Sequence, residues 1–279
     1  MKIAVLSGKG GTGKTFVSVN LAATAGKATY IDCDVEEPNG RLFFKPDKKE
    51  KLTVTVHIPT FDANKCTGCR KCVDFCRFNA LVYIKDKPML FTEVCHSCGG
   101  CSLVCPERAV IESEKPVGFI EIGTRGKVRV VTGVMELGEV SGIPIIKAAL
   151  AHAAPQDELT IIDCPPGSAC PVMESVQSAD YCILVAEQTA FGLHNLAMVY
   201  ELVTLLGKPC GVVINKADRE YLPLDGFLAE HRIPVLCRIP YSDHLAALGA
   251  NAEIAARRSE DISALFRGLL DGIRKGAAT

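Results

Sequence analysis

Eight of the fourteen cysteines repeat one spacing: Cys66-x2-Cys69-x2-Cys72-x3-Cys76 and then, twenty-nine residues on, Cys95-x2-Cys98-x2-Cys101-x3-Cys105-Pro106. A lone Cys-x2-Cys serves zinc as readily as any other metal. Three thiolates at two-residue spacing, with a fourth after three more, instead suit the corners of a cubane iron–sulfur cluster, and two such runs suit two [4Fe-4S] clusters. Their chemistry is the movement of single electrons.

A second chemistry is written at the start of the chain. Gly8-Lys9-Gly10-Gly11-Thr12-Gly13-Lys14-Thr15 satisfies the phosphate-loop pattern G-x-x-x-x-G-K-[ST]. Its glycines let backbone N–H groups turn toward phosphate oxygens at a helix N-terminus, where the helix dipole adds positive potential. Lys14 then reaches the β- and γ-phosphates, and Thr15 ligates Mg²⁺. Two apolar runs end in acids, Ile31-Asp32-Cys33-Asp34 and Leu159-Thr160-Ile161-Ile162-Asp163. A carboxylate just past a strand end lies near the phosphates in such sheets. Asn215-Lys216-Ala217-Asp218, read bare, matches a guanine-reading Asn-Lys-x-Asp and argues for GTP.

Lys9 turns the motif into a resemblance. Lys-Gly-Gly-Thr-Gly-Lys-Thr is similar to the deviant Walker A sequence of the MinD/ParA and nitrogenase-iron-protein group. Nearly the whole chain resembles one subgroup, the MinD/Mrp-type P-loop ATPases with an inserted two-cluster ferredoxin domain. Asp34-Val35-Glu36-Glu37-Pro38-Asn39, Pro165-Pro166-Gly167-Ser168-Ala169-Cys170-Pro171-Val172 and Phe191-Gly192 carry that match alongside the loop and the cysteines.

The resemblance implies roles. Lys9 reaches across a dimer to the partner's phosphates. Asp34 is the switch I aspartate that orients the attacking water, with Asp32 supporting the loop. Asp163 ends the Walker B strand and holds the Mg²⁺ sphere mainly through water, and Gly167 sits beside the γ-phosphate. Asn215 contacts adenine and Pro240 belongs to the loop over the base, which favours ATP and ADP over guanine nucleotides. The cysteines resemble those of two-cluster bacterial ferredoxins, in which the fourth ligand of each run serves the other cluster. That implies Cys66, Cys69, Cys72 and Cys105 on one cluster, and Cys95, Cys98, Cys101 and Cys76 on the other. Arg77 follows Cys76 where proline is usual.

These groups need elements to hold them. A strand is expected over 2–7, a helix over 14–25 and a second strand over 28–32. Pro38-Asn39-Gly40 reads as a turn, Lys48-Lys49-Glu50-Lys51 as an exposed connection, and 52–56 as a strand. Further strands are expected over 128–131, 159–163, 181–185, 211–215 and 235–239, with helices over 190–206, 222–231 and 259–275, and a tail over 276–279. Alternating strands and helices predict an α/β P-loop NTPase fold, with a mostly parallel sheet covered on both faces. The cysteine halves 66–82 and 95–111 align end to end as an internal duplication, expected to form a small α+β ferredoxin-like insert over 57–116 between ATPase segments 1–56 and 117–279.

Net charge is −1, so no global field argues for nucleic acid. Residues 45–90 hold ten Lys or Arg against five acids, which either offsets cluster charge or faces an acidic partner. The start, Met1-Lys2-Ile3-Ala4-Val5-Leu6, is too short for a secretory leader, and no run of about eighteen apolar residues predicts a spanning helix. Cysteines without a leader point to a reducing cytoplasm. Cys182 and Cys210 read as buried small hydrophobes, while Cys33, Cys164 and Cys170 lie near the switch segments.

The expected activity is ATP hydrolysis coupled to electron transfer through the clusters to a redox or iron–sulfur partner protein. The chain is expected to act as an ATP-dependent homodimer or as a heterodimer with a related ATPase, without stable membrane insertion. One alternative is a Mrp-like iron–sulfur cluster carrier, although such carriers bridge a cluster with a C-terminal Cys-x-x-Cys, and this chain has only Cys237 there, so the bridging ligands are missing. The other is a MinD-like positioning ATPase, whose terminal membrane helix the apolar face Ile262, Leu265, Phe266, Leu269, Leu270 and Ile273 resembles; packing on the sheet predicts the same face.

Overall fold

A computed structural model describes residues 1–153, 158–218 and 220–276. The first half of the chain runs β1 Lys2–Leu6, α1 Lys14–Thr24, β2 Ala28–Asp32, α2 Gly40–Phe44, β3 Asp47–Phe61, α3 Lys71–Phe75, β4 Leu81–Ile84, β5 Lys87–Leu90, α4 Gly100–Leu103, β6 Val110–Arg125 and β7 Val128–Met135. It continues through α5 Ile143–Leu150, β8 Leu159–Asp163, α6 Cys170–Gln177, β9 Tyr181–Glu187, α7 Ala190–Leu205, β10 Cys210–Ala217, α8 Leu222–Glu230, β11 Val235–Pro240, α9 Asp243–Ala250 and α10 Glu260–Gly276. Of the expected tail, residues 277–279 lie outside the described residues.

Nine strands form one sheet in the order β11-β10-β9-β1-β8-β2-β7-β6-β3. From β11 to β7 every pairing is parallel. The central strands β2 and β8 are buried along their whole length, as a parallel strand covered on both faces must be, and so read as unbroken apolar runs. One face packs against α5, α6, α7 and α8. The other packs against α1, α2, α9 and α10. The apolar stripe of α10 lies on this second face: Phe266, Leu269, Leu270 and Ile273 are buried, each worth about 2 kcal/mol. It is therefore committed to the core and is not free for a membrane. No helix among the described residues is long and apolar enough to cross one.

Beyond β7 the sheet turns antiparallel, which the alternating pattern did not predict. β6 pairs with β7 from Gly118 to Arg125, and β3 lies outside β6. Past Gly118 the two strands run on together as a ribbon as far as the pair Phe61–Val110. The expected connection 48–51 is thus part of β3. Charge at every position hid a strand whose residues Lys49 to Lys51 are exposed. Where the ribbon leaves the sheet, a register shift between Val54 and Thr55 bulges Val117 out of the ladder.

The cysteine segment sits at the end of this ribbon. Its duplication is written in the backbone: left-handed conformations recur at 68 and 97, at 70 and 99, and at 79 and 108. Each follows its twin by twenty-nine residues. The turn closing each run repeats as well, with Cys76 N–H donating to Val73 O and Cys105 N–H to Ser102 O.

Candidate functional site

The C-terminal ends of β1, β2 and β8 meet at one cleft of about 960 Å³. Lys9, Gly10, Gly11, Gly13, Lys14, Thr15 and Asp34 line it. Gly11 and Gly13 take left-handed φ of 81° and 92°, which lets the loop fold back over its own N–H groups. Gly13 is doubly constrained, because a side chain there would overlap the Asn215 amide. The α1 N-terminus carries no acidic residue in its first turn and no side-chain cap, so its N–H groups are available to an anion.

Lys14 is buried between two carboxylates, with Nζ 2.8 Å from Asp163 Oδ1 and 3.7 Å from Asp34 Oδ2. Burial opposes its charge, but Asp163 and then Asp34 outweigh burial and raise its pKa. Burial likewise raises the Asp34 carboxyl, against the pull of Lys14. Asp32 accepts from the N–H groups of Gly40 at 2.8 Å and Asp34 at 3.2 Å, so it braces the turn expected over 38–40, where α2 in fact begins at Gly40. Its own pKa is pushed up to about 8, first by burial and then by the Asp163 charge. Gly167 N–H donates to Ser7 O at 2.9 Å, tying the expected switch II to the end of β1. Gly8 backs onto α7, where a side chain would overlap Asn195, and Thr12 is buried.

A side pocket of about 190 Å³ adjoins the cleft through Gly13, Gly249 and Ala250. Asn215 and Pro240 both line it, with Tyr241 and Phe16. The Asn215 amide donates to Thr12 O at 2.8 Å, so one edge of the side chain is already committed to the loop. Lys216 donates to Gly11 O and pairs with Glu187. Glu187 also holds Lys9 at 3.0 Å, and Lys9 lies 5.0 Å over the Phe191 ring. Sequence reasoning missed Glu187. Its signal was an acid at the end of an apolar strand in a parallel sheet.

The eight cysteines gather in two groups. Cys66, Cys69, Cys72 and Cys105 line a narrow cavity with Tyr83 and Arg70. Cys95, Cys98, Cys101 and Cys76 line another of about 230 Å³. Each group thus mixes three thiols of one run with the fourth of the other. Burial raises the Cys72 thiol, with Cys105 and Cys66 adding to the effect; burial raises Cys101 to about 11, with Cys95 and Cys98 adding. No three His, Cys, Asp or Glu side chains among the described residues close on a point as a single ion requires. Four cysteines around each volume, beside Glu107 in the first and His57, His96 and Glu112 in the second, fit a polynuclear cluster. The Ala109 N–H donates to Cys105 Sγ at 3.2 Å. Cys33, Cys164 and Cys182 are buried, Cys210 and Cys237 are partly buried, and Cys170 is exposed.

A chain of contacts joins the cleft to the ribbon. Val35, next to Asp34, packs where side chains on Gly133 and Gly142 would overlap it, and its carbonyl accepts from Met135 N–H at 2.9 Å. One residue on, Glu136 N–H donates to the carbonyl of the bulged Val117 at 3.0 Å. Lys115 on the ribbon reaches back to Glu139 at 2.8 Å, with both side chains largely covered.

Residues 3–254 match the family described as the CobQ/CobB/MinD/ParA nucleotide binding domain. The uncharacterised protein MJ0578 of Methanocaldococcus jannaschii is 31% identical over 280 residues, covering 98% of each chain. The uncharacterised ferredoxin MJ0722 of the same organism is 35% identical over 54 residues, 18% of this chain and 70% of that one. An iron–sulfur cluster carrier protein of Pyrococcus horikoshii is 49% identical over 53 residues, 18% of each. In fold the chain is similar to the cell division ATPase MinD of Pyrococcus furiosus, at 18% identity with a TM-score of 0.62 over 98% of both chains. With the loop, the Asp34 and Asp163 carboxylates and the duplicated cysteine segment in these places, the chain belongs to the CobQ/CobB/MinD/ParA nucleotide-binding family, as a MinD/ParA-type member carrying a ferredoxin-like insert.

Proposed function

We propose that the chain hydrolyses ATP and uses its nucleotide state to control electron delivery from the insert to a partner protein. The observation that carries this reading is the unbroken path from Asp34 through Val35, Met135 and Glu136 to Val117, Lys115 and the ribbon. The ATPase part is taken as 1–56 with 117–279, and the insert as 57–116, with both divisions falling inside the ribbon.

In the reaction, water attacks the γ-phosphorus and the bond to the β,γ-bridging oxygen breaks, leaving ADP, phosphate and a proton. Asp34, at the cleft wall, orients that water. Lys14 transfers its charge from the carboxylates to the phosphates. Thr15 and Asp163 would hold Mg²⁺, directly and through water, and the ion neutralises phosphate charge. Asn215 and Pro240 seat adenine in the side pocket, and Lys9 engages a second subunit, either a copy of this chain or a related ATPase. In the insert, Cys66, Cys69, Cys72 and Cys105 would hold one [4Fe-4S] cluster, and Cys95, Cys98, Cys101 and Cys76 the other; bound clusters supply one-electron transfer.

The test is an anaerobic redox titration with ADP, with ATP, and with the slowed variant Asp34→Asn holding ATP. Nucleotide-dependent potentials or electron-transfer rates support the reading; identical values in all three states overturn it. A second reading, delivery of clusters to other proteins, draws on the exposure of Cys69 and Cys98. Transfer of iron and sulfide to an apo-ferredoxin would favour it.

A further inference from the structure

Tyr30 lies on β2 with no solvent exposure, and its hydroxyl donates to Asp163 Oδ2 at 2.8 Å. The other carboxylate oxygen, Oδ1, takes the Lys14 ammonium at the same distance. A buried carboxylate survives only while it is paired or hydrogen-bonded. Lys14 is the donor that must leave when phosphates arrive. Tyr30 is the donor that stays, because its ring is boxed in. Phe44 packs on it at 5.0 Å between centroids, and any side chain at Gly40 would overlap the ring and the hydroxyl. Gly40 is itself tied by its N–H to Asp32.

We propose that Tyr30 is a positioning residue for the ATPase reaction: it pins Asp163 Oδ2 so that, once Lys14 turns to the phosphates, Oδ1 is left facing the cleft at a fixed angle to receive the magnesium water shell. The inference rests on the ATPase reading above and adds a residue to it. A phenol serving only to fill the core would act on nucleotide binding with and without the metal alike. One acting through Asp163 is felt only when Mg²⁺ is present.

The experiment is equilibrium binding of a fluorescent ADP across a Mg²⁺ series and in EDTA, using the full chain as wild type, Tyr30→Phe, Asp163→Asn and the double variant. Tyr30→Phe is expected to raise the Mg²⁺ needed for half-maximal tightening by about tenfold, the scale of one hydrogen bond to a charged group. Affinity in EDTA should not change, and Tyr30→Phe should add nothing in the Asp163→Asn background. An unchanged Mg²⁺ dependence overturns the proposal, as does an equal shift with Asp163→Asn or in EDTA. Gly40→Ala keeps the hydroxyl but crowds it away from Asp163; it should reproduce the shift and decides the matter if Tyr30→Phe does not fold. Wild type that binds ADP without any response to Mg²⁺ would remove the ATPase reading, and this inference with it.

Discussion

Glu187 holds Lys9 of its own chain, Oε2 to Nζ 3.0 Å, while its Oε1 takes Lys216 at 2.6 Å. The lysine that the family resemblance sends across a dimer is therefore tied down at home. Burial opposes the Glu187 charge, but Lys216 and Lys9 outweigh burial and lower its pKa, so the clasp stays ionised. In the proposed dimer, freeing Lys9 must precede pairing. With its two side chains 29% and 12% exposed, the pair is worth about 1 kcal/mol, so Glu187→Gln should lower the ATP needed for dimer formation by about fivefold. Lys9→Ala should bind ADP normally and fail to dimerise. Sedimentation velocity at a series of ATP concentrations measures both.

The Lys115–Glu139 pair is expected to transmit nucleotide state to the ribbon. Glu139→Ala should leave ATP turnover within about twofold, because neither partner lines the cleft and distant sites act independently. It should also remove the difference in amide hydrogen exchange that ATP produces over residues 110–117. A difference as large as in wild type would show that the signal travels another way.

Crossed cysteine groups make a counting prediction. Cys69→Ser with Cys105→Ser strikes one cavity twice, and should lower bound iron by about four per chain. Cys69→Ser with Cys76→Ser strikes both cavities, and should lower iron and acid-labile sulfide further. The reverse order, with the larger loss from Cys69→Ser with Cys105→Ser, would uncross the assignment.

Thiol reactivity should follow exposure and pH. Cys170 is exposed and should alkylate first in the cluster-loaded protein. Cys210 is half-buried, and burial raises its pKa to about 11. Its thiolate is scarce at pH 8, so its labelling should climb about tenfold per pH unit toward that value, since the thiolate is the nucleophile. Cys33 and Cys164 should stay unlabelled until the protein unfolds. Peptide mass spectrometry after timed alkylation reads all four.

The sequence made legible whatever depends on local pattern. The phosphate loop, the strands ending at Asp32 and Asp163 and the helix ending the chain are all where periodicity puts them. In each, a buried face forces apolar residues to a fixed spacing. The ribbon was not legible. Lys49 to Lys51, and Glu112 and Glu114 on the facing strand, are exposed and charged, so no apolar alternation betrays a strand, and β3 finds β6 only through a partner some sixty residues distant. Short helices such as α5, α6 and α9 were missed because two turns leave too few positions to show a period. Tyr30 hid for another reason: a tyrosine in an apolar strand reads as core. The clue was that a buried phenol must find an acceptor, and the neighbouring strand ends in a carboxylate. Lys115 and Glu139 carried no signal at all, being twenty-four residues apart with nothing periodic between them.

Phe61 and Val110 stand opposite each other as the last rung of the ribbon. The whole cysteine-rich insert therefore hangs from the nucleotide-binding domain by two adjacent threads. A chain that bridged those two residues with a tight turn would keep every rung of the nine-stranded sheet, so the cysteine-rich insert behaves as a cartridge. A lineage could discard it, or exchange it for another, without redesigning the nucleotide-binding domain beneath.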